Sequence, residues 1–128
     1  MKRLNKNFFL NWLWVFAWMG MIYYFSDQPN LQSSLQPFWD LIFRKIAHVA
    51  EYFVLTYLLF RAISFGKKPN SSSLIIAITV AILYAIFDEW HQQSIVGRHG
   101  SIIDVLVDSV GVIMFALMHR FKHLLKII

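Results

Sequence analysis

Four apolar runs, each near the length needed to cross a bilayer, take up most of this chain of 128 residues, and no other feature limits its folding as strongly. They cover residues 8–25, 46–65, 74–92 and 102–118. As a helix the first is about 27 Å long, close to the thickness of the hydrocarbon core. Backbone groups facing lipid must find their hydrogen bonds inside the segment, which leaves helices as the solution for isolated runs of this kind. The expected fold is therefore all-α: a polytopic membrane protein built as one bundle of four transmembrane helices. A composition of 58% hydrophobic and 15% charged residues lies outside the soluble range and agrees. The spans leave no length for a separate soluble domain, and there is no internal repeat, so a single domain is expected.

The boundaries carry their own signals. Lys2, Arg3 and Lys6 before the first run resemble a secretory n-region, but Tyr23, Tyr24 and Phe25 stand where a cleavage site needs small residues, so the run is expected to be retained. Ser26 to Pro29 breaks the first helix. Asn30 to Phe43 is too short and polar to cross, and with Phe38 and Trp39 it is expected to lie in the interface or to form a re-entrant turn. Gly66, Lys67, Lys68 and Pro69 stop the second span, and Ser71 to Ser73 are expected to cap the third. Asp88 to Gln92 should extend that third helix into the interface.

Four spans put both termini on one side of the membrane. Nine Lys and Arg residues fall on the side of the termini, and Arg44, Lys45 and Arg98 on the other, so the termini are expected in the cytoplasm. Every acid (Asp27, Asp40, Glu51, Asp88, Glu89, Asp104, Asp108) then lies outside or in the outer half of a span. Basic residues scattered at span ends do not form a nucleic-acid stripe. With no cysteine, disulfides, thiolate metal sites and thiol nucleophiles are excluded.

Ionisable groups inside spans are costly and mark a pathway or a site. On a helix Lys45, His48 and Tyr52 fall within about 60° of one another, with Glu51 at the border of that stripe. Tyr84, Asp88, His91 and Gln92 share an arc of about 100°, while Glu89 faces away and is expected at the surface. Ser101, Asp104, Asp108 and Gly111 span about 80°, and Gly111 would let another helix approach closely. Three helices thus offer polar stripes at one level, and turning them inward is the packing that spares lipid from meeting them.

Clustered carboxylates cannot all stay charged in a low dielectric. They must share protons, pair with Lys45 or Arg98, or hold a metal. The first route suits general acid and base work, with His48 or His91 titrating near neutrality. The last suits a divalent cation bridging a phosphate that Lys45 and Arg98 orient. Neither the His-Glu-x-x-His metal motif nor the Gly-x-Ser-x-Gly nucleophile elbow is present. Plainer roles compete: a snorkelling Lys45 with a capping His48, Asp104 and Asp108 as interhelical hydrogen-bond partners, Asp27 and Asp40 as solvated loop acids, and Trp12, Trp14, Phe16 and Trp18 as lipid contacts.

Ser26-Asp27-Gln28-Pro29, Lys45-x-x-His48-x-x-x-Tyr52, Tyr84-Ala85-x-x-Asp88-Glu89-x-His91-Gln92, Gly97-Arg98 and Asp104-x-x-x-Asp108-x-x-Gly111 follow one another in an order that resembles the VanZ-like family of small bacterial membrane proteins. Val96 stands where that family often has proline, and Asp108 where it often has asparagine. The resemblance implies a bacterial plasma-membrane protein acting at the cell envelope, because the family takes its name from a member linked to teicoplanin, a glycopeptide that binds lipid-linked wall precursors. It supplies a setting and no reaction.

The leading expectation is an outward-facing cleft that handles a phosphate-bearing headgroup or lipid-linked precursor. Lys45, His48, Glu51, Asp88, Glu89 and Asp104 are the candidate catalytic groups; Tyr52, His91, Gln92, Arg98 and Asp108 are the candidate binding groups. The rival reading is a non-catalytic binding or shielding protein that partners an envelope enzyme. A proton-coupled transporter fits less well, since four short spans carry no paired repeat or broken helix.

Overall fold

A computed structural model describes residues 2–28 and 37–125, with side chains from residue 6 onward. The described residues form four helices and no strand: α1 (Lys2–Ser26), α2 (Pro37–Ile63), α3 (Ser71–Gln92) and α4 (Ile102–Leu125). All four contain stretches long and apolar enough to cross a membrane. Their outward faces carry Phe9, Leu13, Phe16, Ile75, Leu83, Leu106 and other large apolar side chains, the surface that acyl chains require. The expected bundle of four spans is therefore what forms.

The helices extend further than hydropathy alone predicts. α2 begins at Pro37 and takes in the last part of the segment expected at the interface; residues 29–36 of that segment lie outside the described residues. An ion pair between Asp40 and Arg44, one turn apart, braces this polar first stretch. α4 continues past Met118, with Lys122 in its last turn, where a cation complements the helix dipole. The α3 cap differs from expectation. Asn70, in an extended conformation, accepts a bond from the Ser73 amide (2.8 Å), and the three serines form the first turn instead of the cap.

α2 is the central helix, packing against each of the others and most extensively against α4. Among the described residues α1 makes no close backbone approach to α4. The crossing of α2 and α4 is set by Gly111. A Cβ there would overlap the Val49 carbonyl oxygen and stand 2.9 Å from the Phe53 amide nitrogen. Only a residue without a side chain lets the two backbones meet at that point. Below it, away from the polar end, Leu55, Leu59, Val112 and Phe115 fill the centre of the bundle.

Candidate functional site

Close α2–α4 contact brings two of the predicted stripes into register. Lys45 Nζ donates to Asp104 Oδ1 at 2.8 Å, and one turn deeper His48 Nδ1 lies 2.9 Å from Asp108 Oδ1. Asp104 is also engaged by the N-terminus of its own helix. Ser101 Oγ donates to Asp104 Oδ2 (2.7 Å) and accepts from the Asp104 amide (3.2 Å), an arrangement that ties off the first turn of α4. Both Asp104 oxygens thus have partners.

α3 supplies the third wall. Asp88, Glu89 and Gln92 are buried, at 1%, 3% and 5% exposure. The burial of Glu89 corrects the expectation from the helical wheel, which turned it to the surface. The cause is the loop between α3 and α4, which folds back over it. Gly97 takes a left-handed φ of 79°, and Gly100 lies so close to α3 that a Cβ would overlap the Glu89 carbonyl. The loop's Ser101 amide then donates to Glu89 Oε2 at 3.2 Å. His91 departs in the opposite sense. It leaves the cleft for α1, stacking on Tyr23 with centroids 4.6 Å apart and placing Nε2 3.1 Å from Asp27 Oδ1. Asp27 is accordingly one end of a tether between helices.

A cleft of about 230 Å³ opens at the end of the bundle where α2 and α4 begin and α3 ends. Arg44, Lys45, His48, Arg98, Asp104 and Asp108 are among its lining residues, with Glu89 and Gln92 at the α3 side. A neighbouring chamber, lined by Ser26, Arg44, His48, Glu51 and Arg98, shares three of these groups. Lys45, His48, Asp88, Glu89, Gln92, Arg98, Asp104 and Asp108 are thus gathered at one end of the fold, with Glu51 beside them and His91 outside. Tyr52 is fully buried beneath, and its hydroxyl has no hydrogen-bond partner among the described residues.

Arg98 was expected as a phosphate clamp. It borders both chambers, and it also donates to the carbonyls of Phe25 (2.8 Å) and Gln28 (3.1 Å), closing the C-terminal end of α1. Burial and the nearby Arg44 push its pKa below the usual arginine value, yet a guanidinium stays charged at neutral pH. Arg44 and Ser26 were not picked out as site residues from sequence. Arg44 lines both chambers and its Nε is buried without a partner among the described residues; Ser26 accepts from Gln92 Nε2 at 3.2 Å. The signal for Arg44 was its place beside Lys45 at the polar end of α2.

Deepest in the cluster, ligand atoms of His48, Asp88, Glu89 and Asp108 all lie within 4.8 Å of one another. Each carboxyl has one buried oxygen with no hydrogen-bond partner among the described residues: Asp88 Oδ1, Glu89 Oε1 and Asp108 Oδ2. Two like unit charges 4.8 Å apart repel by about 3.5 kcal/mol at an effective dielectric of about 20. Three buried carboxylates at such spacing require positive charge or protons among them.

The VanZ/LLP1 family model matches residues 9–123, which include every group just described. The chain belongs to the VanZ/LLP1 family. One relative is the uncharacterized membrane protein YwnJ of Bacillus subtilis (strain 168), 30% identical over 99 residues. That match covers 73% of this chain and 64% of YwnJ, so the chain spans just under two thirds of its relative's length. No solved structure matches. Membership of the VanZ/LLP1 family, together with four helices of spanning length, makes this a multi-pass membrane protein.

Proposed function

We propose that this VanZ/LLP1-family protein binds the phosphate-bearing headgroup of an envelope lipid, such as a lipid-linked wall precursor, in the cleft between α2, α3 and α4. One observation carries the reading: Arg44, Lys45 and Arg98 converge on a single cleft among long apolar helices, and the buried Nε of Arg44 has no partner among the described residues. Guanidinium forks and an ammonium at the rim suit phosphate oxygens, and the lipid tail would lie along the apolar faces outside. The bias of Lys and Arg toward the opposite end of the bundle supports a cleft that faces away from the cytoplasm. A link to teicoplanin susceptibility follows if the bound lipid is the precursor that this antibiotic targets.

The test is capture of a labelled polyprenyl phosphate by the purified protein in nanodiscs, against the polyprenol lacking the phosphate. The phosphate form should be retained preferentially, and Lys45→Ala or Arg44→Ala should weaken retention at least tenfold. Equal retention of the two lipids would remove the proposal. Product analysis in the same samples, with Glu51→Gln and Asp104→Asn as variants, separates an enzyme from a binding protein: turnover lost in either variant marks catalysis, and retention without turnover marks binding alone.

A further inference from the structure

We infer that His48, Asp88, Glu89 and Asp108 form a binding site for one divalent cation at the floor of the cleft, of the kind that accepts both imidazole and carboxylate, such as manganese or zinc. The four residues come from three helices, and no pair of them has the spacing of a known sequence motif. Their ligand atoms nevertheless meet within 4.8 Å. Around a cation with bonds of about 2.0–2.4 Å, ligand atoms stand about 3 Å apart when adjacent and up to about 4.8 Å when opposed. The quartet falls within that outer limit.

The disposition of the oxygens supports a ligand beyond mere proximity. In each carboxyl one oxygen is held and the other is left over. Gln92 Nε2 reaches Asp88 Oδ2 at 3.4 Å, the Ser101 amide holds Glu89 Oε2 at 3.2 Å, and His48 Nδ1 meets Asp108 Oδ1 at 2.9 Å. The other oxygens, Asp88 Oδ1, Glu89 Oε1 and Asp108 Oδ2, are buried and have no partner among the described residues, on side chains of residues exposed by no more than 3%. Buried polar atoms without partners are rare and call for an explanation such as an ion. Holding one oxygen while presenting the other is how neighbouring groups orient metal-ligating carboxylates.

Chemistry narrows the choice of ion. Three ionised carboxylates and a neutral imidazole carry a charge of minus three, which a divalent cation lowers to minus one. An imidazole among the ligands favours first-row transition ions over calcium and magnesium. The cluster abuts the cleft that holds Lys45 and Arg98, so the ion has a path from the water side.

The inference does not depend on the headgroup reading, and its test needs no lipid substrate. The intact protein in nanodiscs is stripped with chelator and titrated calorimetrically with Mn²⁺ and with Zn²⁺. Expected is one ion per chain, with affinity at least tenfold weaker in Asp88→Asn and Asp108→Asn and unchanged in Asp27→Asn. The wild-type protein loaded with Mn²⁺ should show electron-spin-echo modulation from a coordinated imidazole nitrogen, a readout that stands even if the variants fail to fold. Failure of the folded wild-type protein to bind either ion stoichiometrically would overturn the site, as would binding that both carboxylate variants leave intact or a Mn²⁺ signal without nitrogen coupling. Phosphate-lipid capture by metal-free protein that binds no ion would leave the headgroup reading standing and sink this one alone.

Discussion

Replacing Gly111 with alanine tests how the two central helices hold the site together. The added Cβ would overlap the Val49 carbonyl oxygen and lie 2.9 Å from the Phe53 nitrogen and 3.0 Å from the Val49 carbonyl carbon. Comfortable non-bonded separations are about 3.5–4.0 Å, so α2 and α4 must part locally by about 1 Å. The His48–Asp108 contact of 2.9 Å lies one turn away and the Lys45–Asp104 contact of 2.8 Å two turns away. A displacement of that size carries the nearer contact beyond hydrogen-bond range. Overpacking of this kind costs about 1–3 kcal/mol. Thermal unfolding in detergent should show Gly111→Ala below wild type and Gly111→Val lower still, with phosphate-lipid capture falling in the same order. Variants as stable and as competent as wild type would refute the claim that close backbone contact at residue 111 registers the site.

Other perturbations separate structural from functional roles. Lys45 and Asp104 form a pair with side chains 37% and 29% exposed, so Lys45→Ala should change stability by less than about 1 kcal/mol while still impairing phosphate-lipid capture; a large loss of stability would contradict this. Arg98→Ala strips the Phe25 and Gln28 carbonyls of their donor and should destabilise by about 1–3 kcal/mol in denaturant titrations, with lysine, lacking the fork, restoring part of it. Tyr84→Phe deletes a 2.7 Å bond to the Met19 carbonyl, and a loss of about 0.5–1.5 kcal/mol is expected. A reporter active only in the cytoplasm should work when fused at either terminus and fail when inserted after Gly97.

Much of this architecture could be read from the residue order. The spans exist because hydropathy and length demand them, whereas their ends do not follow from hydropathy: Asp40 and Arg44 form an intrahelical pair, so a segment polar on paper is helical from Pro37. Lys45 with Asp104 and His48 with Asp108 were placed on facing stripes by the 3.6-residue period, since both members of each pair sit in long regular helices. Glu89 and His91 exchanged roles because a helical wheel gives an angle and no neighbour. The loop that covers Glu89 depends on Gly97 and Gly100 turning back, and His91 was drawn off by Tyr23 on α1 and Asp27 just after it, more than sixty residues earlier. Arg98 was recognised as important, but nothing local announced that its donors reach the end of α1.

The attachments of that first helix bear on how the protein is made. Trp18 donates to the Glu51 carbonyl, Tyr84 to that of Met19, His91 meets Asp27, and Arg98 grips the carbonyls of Phe25 and Gln28. All but one of these partners are more than sixty positions downstream. During synthesis α1 can pack on α2 early, but its ties to α3 and to the loop beyond are complete only once the ribosome has passed Arg98, so a chain truncated before that point should hold the end of its first span less firmly.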